Sequence, residues 1–444
     1  MGWEERIAMR VAVVGTGHVG LVTCVTMAEL GHDVVGIDSD LEKVNQLRSG
    51  NSPFYEPGLD ELLVKWTSDG RLTIDSKMEA IAEAEVVFIC VGTPARPDGE
   101  ADLTAVEQVA RAVSRHASDR IVVAEKSTVP AGTAARVKRA IKLERPDRAD
   151  ELEVVSNPEF LREGKAVEDS LRPDRILVGA ESSWGLAQMR AVYKPLIDDG
   201  YNFIETDIQT AELAKHACNA FLAMKISYAN ALARLCERSG ADVGAIADVM
   251  GADPRIGRAF LDAGMGYGGF CFPKDVQAFE RLAARLGYPF PLLREVAKIN
   301  DEAIEATLEK VKDALWNLED KRIALLGLAF KPETDDTRFS PPLALAKKLL
   351  DERADVVGYD PQASSNAKAE VPDLEIAPDP YEAARGAHCV VLCTDWDEFR
   401  ALDLVRIRES MSFPVVVDGR NLFDFDQMNQ LGFTYYPTGR RGVV

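Results

Sequence analysis

The sequence predicts an α/β protein in which two strand–helix units flank an all-helical middle, and three observations carry that expectation. A glycine fingerprint, Gly15-Thr-Gly-His-Val-Gly20, stands between a β-branched run at residues 10–15 and an apolar helical pattern ending near Leu30. Short apolar runs bounded by Gly, Pro, Ser or Asp alternate with helical segments, once before residue 206 and again after residue 318. Between them, residues 208–238 contain neither Pro nor Gly, as a long uninterrupted helix requires. The expected organisation is an N-terminal Rossmann dinucleotide-binding domain (residues 1–205), a central helical region (206–318) and a C-terminal Rossmann-like α/β domain (319–444).

In the first domain the fingerprint has the context that dinucleotide binding needs. Gly15 permits a tight turn, Gly17 lets the backbone approach a pyrophosphate and Gly20 lets the helix pack close to the strand, and His18 and Val19 in the same turn are candidate cofactor contacts with them. The next strand, residues 33–38, ends in Asp38, whose carboxylate would accept from an adenosine ribose and repel a 2′-phosphate. The expected cofactor is therefore NAD rather than NADP. Strands at 86–91 and 121–126 run into Gly92-Thr93-Pro94 and Ser127-Thr128-Val129-Pro130, at the carboxyl ends where open parallel sheets bind ligands. Strands at 153–156 and 175–179 follow, with Asn157-Pro-Glu-Phe-Leu-Arg-Glu-Gly164 between them.

The helical middle places Leu213, Ala217, Ala220, Phe221, Met224 and Ala231 on one apolar stripe, which reads as its buried side. Lys215 and Asn219, four apart, share another face, and by themselves they read as solvated. Gly240 ends this helix, and further helices reach to about residue 318. Within the region lies Gly264-Met-Gly-Tyr-Gly-Gly-Phe-Cys-Phe-Pro-Lys-Asp275, a glycine loop running into a thiol. Cys271, with Lys274 three residues on and Asp275 four residues on, has the makings of an activated nucleophile beside an acid/base group; a buried core thiol in a turn is the alternative. In the C-terminal domain, strands at 321–327, 355–360, 388–394 and 414–418 repeat the alternation without a second glycine fingerprint, so a ligand other than a dinucleotide is expected there. Lys331, Arg338 and Arg420 lie near strand ends and are its candidate phosphate contacts, although any one of them alone reads as surface charge.

Composition bounds the function. The net charge of -20 over 444 residues argues against nucleic acid or an anionic membrane surface as the main partner. There is no apolar run long enough to span a bilayer, and residues 1–8 read as an extension ahead of the first strand. The seven cysteines are scattered and show no metal-ligand spacing, which suggests a reducing, cytoplasmic compartment and no metal; Cys389 and Cys393 read as core thiols.

Taken in order, these motifs resemble the nucleotide-sugar dehydrogenases of the UDP-glucose/GDP-mannose dehydrogenase family. The likeness rests on Gly15–Gly20, Val91-Gly-Thr-Pro94, Ser127-Thr-Val-Pro130, Asn157–Gly164, Lys215 to Asn219, Arg255-Ile-Gly257, Gly266–Asp275, Gly327-Leu-Ala-Phe-Lys331, Asp336-Thr-Arg338 and Asp418-Gly-Arg-Asn421. It implies that the middle is a dimerisation region and that the C-terminal domain binds UDP. The implied reaction is a four-electron oxidation of UDP-glucose to UDP-glucuronate with NAD, through a thiohemiacetal and a thioester on Cys271. GDP-mannose or a UDP-N-acetyl-hexosamine is the alternative substrate of the same chemistry; a two-electron hydroxyacid-type dehydrogenase without covalent catalysis is a further alternative.

The resemblance also implies roles. Lys215 and Asn219 would stabilise the oxyanion at C6, Asp275 and Thr128 would position water, and Glu159 would help move the proton. NAD contacts map to Thr93, Thr128, Glu163, Lys274 and Arg338, with Lys43 near the adenosine ribose. The sugar nucleotide maps to Glu159, Phe160, Leu161, Arg162, Glu163, Lys215, Asn219, Tyr267, Gly268, Phe330, Lys331 and Arg420. Arg255 maps to a residue that reaches the substrate of a neighbouring subunit, so a homodimer is implied. One departure is Phe270, where the family usually has a small residue before the cysteine.

Overall fold

A computed structural model describes residues 8–94, 96 and 99–440, which fall into two compact units, Met1–Cys218 and Asn219–Val444. The extension expected at residues 1–8 lies outside the described residues except for Ala8, which is exposed.

The first unit is built on an eight-stranded sheet: β1 (Arg10–Val14), β2 (Asp33–Ile37), β3 (Leu72–Asp75), β4 (Val86–Ile89), β5 (Ile121–Glu125), β6 (Leu152–Ser156), β7 (Ile176–Gly179) and β8 (Phe203–Thr206). Their order is β3-β2-β1-β4-β5-β6-β7-β8. β1 pairs in parallel with β2 (Val11 opposite Val34) and with β4 (Val11 opposite Val86). Central strands such as β4 and β5 are buried along their whole length, because helices cover both faces of a parallel sheet. One core gathers Val11, Leu21, Val25, Leu63 and Val167; the other gathers Ala12, Ile89, Val113, Val123 and Val137. β6 meets β7 antiparallel and β7 runs parallel to β8, so the last two strands reverse direction. Neither β3 nor β8 is expected from the sequence. Both are four-residue edge strands whose alternate positions are polar or exposed, so they lack the continuous apolar run that marks the buried strands.

The helix Ile208–Ser239 runs across the division between the units. Its burial departs from the expected faces at several positions. Leu213, Ala217 and Phe221 are exposed, whereas Lys215 and Asn219 are buried, with Glu212, His216, Ala220, Ala223, Ser227 and Asn230. The helix stands where the apolar period places it, and Ala220 of the expected apolar stripe is buried with Met224 and Ala231 half-buried, but Leu213, Ala217 and Phe221 face outward while the polar Lys215 and Asn219 face inward. Helices Val243–Gly251, Cys271–Arg285 and Pro291–Leu315 follow. The second sheet has β9 (Arg322–Leu326), β10 (Asp355–Tyr359), β11 (Glu375–Ile376), β12 (Cys389–Leu392), β13 (Val415–Asp418) and β14 (Thr434–Pro437) in the order β11-β10-β9-β12-β13-β14, all pairs parallel. This is the order of a doubly wound dinucleotide fold, with its switch point between β9 and β12. There Gly327 turns with φ 95°, and a Cβ on it would lie 1.9 Å from Thr394 Oγ1. The short edge strands β11 and β14 escape the sequence reading for the same reason as β3 and β8.

Candidate active site

In the first unit the predicted cofactor residues converge at the carboxyl ends of β1, β2, β4 and β5. Gly15 has φ 92°, and a Cβ there would stand 2.8 Å from the Cys90 carbonyl oxygen. A Cβ on Gly20 would overlap the Gly15 carbonyl at 1.7 Å, so glycine is what lets the helix His18–Glu29 start so close to β1. Among the described residues, and apart from its own chain neighbours, nothing lies within 4 Å of where a Cβ on Gly17 would stand, which leaves that backbone open to close approach. The Asp38 carboxylate accepts from Thr16 N and Oγ1, both at 2.9 Å, from Asp40 N at 3.1 Å and from Lys43 Nζ at 3.0 Å. Burial alone would raise its pKa, but these donors outweigh burial and lower it. Asp38 is thus held as an anion at the end of β2, and Lys43 is brought to it. These features fit an adenosine ribose at Asp38 and a pyrophosphate over the Gly15–Gly20 turn.

Beyond β4 and β5, Thr93 Oγ1 donates to the Thr128 carbonyl at 2.9 Å, and Ser127 Oγ donates to the Val91 carbonyl at 2.7 Å, which locks the two strand-end loops together. Beyond β6, Asn157 is buried and bonded to Tyr193 OH at 2.6 Å, fixing the start of the loop that carries Glu159 to Glu163. Glu159 is buried and paired with Lys215 Nζ at 3.0 Å, and it also accepts from Leu161 N at 2.7 Å. Two cations approach the Phe160 ring, Lys215 at 5.3 Å and Arg175 at 4.0 Å from its centre. Arg162 differs from its neighbours: its guanidinium grips Asp169 at 2.6 and 2.9 Å. The His18 imidazole does not stand alone either; Nε2 lies 2.8 Å from Glu56, and the ring packs on Phe54. Burial presses His18 towards neutrality, but the Glu56 hydrogen bond and the charges of Glu163, Glu56 and Glu159 win, and its pKa is raised.

In the second unit the glycine loop threads a narrow passage. A Cβ on Gly264 would lie 2.7 Å from the Gly419 carbonyl oxygen, one on Gly266 2.7 Å from Asn300 Oδ1, and one on Gly268 2.3 Å from the Phe339 carbonyl oxygen. Asn300 clamps the loop by accepting from Tyr267 N at 2.7 Å and donating to the Tyr267 carbonyl at 3.0 Å. Gly269 N donates to the Arg338 carbonyl at 3.0 Å, and the Phe330 ring covers Gly269. Cys271, half-buried, is the first residue of the helix Cys271–Arg285, at the end where the helix dipole favours negative charge. One turn on, Asp275 is fully buried between Asn219 Nδ2 at 2.6 Å and Lys274 Nζ at 2.8 Å. Phe270, at the helix cap, sets its ring 4.5 Å from the Arg338 guanidinium and 5.5 Å from Lys274 Nζ, both within cation–π range. Arg420 reaches the Cys393 carbonyl at 2.8 Å and the Phe330 carbonyl at 3.3 Å, and Lys331 Nζ lies 5.8 Å from the Phe330 ring. Arg255 is exposed and pairs with Asp253 at 2.6 Å. Glu56, Arg175 and Asn300 escape the sequence reading, since their partners are distant in sequence and no local pattern announces them.

Comparison with known proteins matches residues 9–197 to the NAD binding domain of the UDP-glucose/GDP-mannose dehydrogenase family, 209–302 to its central domain and 324–425 to its UDP binding domain. The chain belongs to this family. It is an NAD-dependent oxidoreductase. A UDP-glucose 6-dehydrogenase of Rhizobium meliloti is 45% identical, covering 97% of this chain and 100% of the relative. The structure of a UDP-glucose dehydrogenase from Pyrobaculum islandicum aligns with a TM-score of 0.91 at 37% identity, covering 100% of both chains. That of a UDP-D-ManNAc dehydrogenase from Pyrococcus horikoshii aligns at 0.86 and 28% identity, over 98% of this chain and 100% of the other. The two Rossmann-like sheets and the helical middle expected from the sequence are those of the family. Among the described residues no helix is long and apolar enough to cross a membrane.

Proposed function

We propose that the protein oxidises the C6 hydroxyl of UDP-glucose to the carboxylate of UDP-glucuronate in two NAD-dependent steps, through a covalent adduct on Cys271. The observation that carries this reading is a thiol opening a helix, with a fully buried, doubly held carboxylate one turn behind it. The relatives at 45% and 37% identity, named for UDP-glucose, support the substrate. NAD accepts the hydride in each oxidation. Lys215 and Asn219, four apart on one helix, stabilise the oxyanion at C6. The Cys271 thiolate adds to the aldehyde carbon, forming a C–S bond, and the thiohemiacetal gives up the second hydride to become a thioester. Water, positioned by Asp275 and Thr128, cleaves the C–S bond and returns the thiol while Glu159 takes up a proton. One alcohol, two NAD and one water thus give one carboxylate, two NADH and three protons.

The division of labour we propose is NAD binding by residues 1–205, catalysis and homodimerisation by 206–318 and UDP binding by 319–444. A row of large apolar side chains exposed along the helix Ile208–Ser239 supports the homodimer. Seven scattered cysteines support a reducing, cytoplasmic setting. The deciding measurement is the number of NADH formed per UDP-glucose consumed, by wild type and by Cys271→Ser. The expected result is two for wild type, with turnover abolished or stalled at a covalent adduct in the variant. One NADH per sugar, or a variant that forms the acid at the wild-type rate, removes Cys271 from the mechanism. Two NADH from GDP-mannose or a UDP-N-acetyl-hexosamine, and none from UDP-glucose, keeps the chemistry and changes the sugar.

A further inference from the structure

Glu56 lies in the turn Phe54-Tyr-Glu-Pro-Gly58 ahead of the helix Leu59–Asp69, and its carboxylate is wholly buried. A buried carboxylate persists only where donors replace its water. Glu56 has three, drawn from two other parts of the first unit. His18 Nε2, on the first residue of the helix that follows the glycine fingerprint, lies 2.8 Å from Oε2. Gly164 N donates to the same oxygen at 2.7 Å, and Ala166 N donates to Oε1 at 2.7 Å. Gly164 ends the loop that begins at Asn157, and it turns there with φ 77°. Ala166 opens the next helix, Ala166–Leu171. One side chain therefore joins the start of the cofactor helix to the end of the loop carrying Glu159 and Glu163.

We propose that Glu56 is a positioning residue that couples the two: seating NAD over the first turn of the helix His18–Glu29 fixes His18, and through Glu56 fixes the loop 159–166. No atom of Glu56 need touch NAD or the sugar for this. The importance of that loop rests on the function proposed above, but the coupling itself concerns NAD alone. The link is direct, one side chain long on each side, so each arm can be cut separately. Glu56→Gln keeps the size but turns an NH₂ group towards a backbone N–H, leaving one of the two amides without an acceptor. His18→Leu keeps the loop amides satisfied and removes only the cofactor arm.

The test is amide hydrogen exchange, followed by mass spectrometry, of the full-length protein with and without NAD and with no sugar present. In wild type, NAD is expected to slow exchange at residues 161–166. In Glu56→Gln and in His18→Leu that slowing is lost and NAD affinity, measured by calorimetry, falls about tenfold, a coupling of ordinary size. Melting temperatures of the free variants check that each is folded; should Glu56→Gln fail to fold, His18→Leu decides the matter. A wild type without NAD-dependent slowing overturns the proposal, as does slowing that survives in a folded variant. Because no sugar is used, these outcomes are independent of which nucleotide sugar is oxidised.

Discussion

Cys271 and Asp275 owe their placement to one helical turn, but the carboxylate that stands out by its isolation lies elsewhere. Glu125, the last residue of β5, is 1% exposed, and neither of its oxygens has a hydrogen-bond partner among the described residues. Burial, reinforced by the charge of Glu212 and only partly offset by Lys138, pushes its pKa well above the ordinary value of 4.5. The native state therefore holds a proton that the unfolded chain loses above about pH 4.5. Stability attached to this group must fall as pH rises through the window between the two values. Glu125→Met, close in volume and without a charge to desolvate, is expected to be more stable than wild type by about 1–3 kcal/mol at pH 8. The gain should shrink towards pH 5, as read from urea midpoints at both values; an equal gain at both would deny the titration of Glu125. Residues of this kind were the least legible in the sequence. Cys271, Asp38 and the three fingerprint glycines announce themselves by type and spacing, whereas Glu56, Asn300 and Glu125 act through partners that only the fold brings near.

At the scale of elements, the glycine loop is the part whose sequence and geometry agree most closely. Its glycines answer to separate neighbours: Asn300 at Gly266, the Phe339 carbonyl at Gly268 and the Phe330 ring at Gly269. Gly268→Ala would press a methyl to 2.3 Å from backbone that cannot rotate away, so the chain around residue 339 must shift. Overpacking of this sort costs about 1–3 kcal/mol. Because Cys271 lies three residues on, the expected outcome is a lowered urea midpoint together with a loss of NADH formation; retention of both would mean that the loop has more slack than its contacts imply. The buried central strands were equally legible, since β1, β4, β5 and β12 are continuous apolar runs. The edge strands β3, β8, β11 and β14 were not, because a short, half-exposed strand is specified by its neighbour rather than by its own composition. The long helix was legible in extent but only partly in orientation: the buried Glu212, Lys215, His216 and Asn219 are paired with the Gly132 and Ala134 amides, Glu159, the Val129 carbonyl and Asp275 respectively, partners that hydrophobicity alone does not announce.

At the scale of the whole molecule, two properties pull against each other. The chain carries a net charge of -20, so two copies repel. Yet Leu213, Phe221, Tyr228 and Leu235, 40 to 59% exposed, recur along one side of the helix Ile208–Ser239 at spacings of seven or eight residues, two helical turns apart. A self-complementary apolar row suits an isologous pair, in which one end of the row on each copy meets the other end on its partner across a two-fold axis. Apolar burial changes little with moderate salt, while the repulsion between two acidic chains is screened within about 10 Å at 0.1 M. The proposed homodimer should therefore tighten as ionic strength rises, the opposite of an assembly held by ion pairs. Sedimentation equilibrium at about 0.02 M and 0.2 M salt reads this directly. Replacing Phe221 and Leu235 together by Lys should leave the monomer's mass at either salt, because each copy would have to bury two unpaired ammonium groups against the other's apolar row. A dimer that weakens as salt is added, or one that survives both substitutions, would place the interface on another face of the chain.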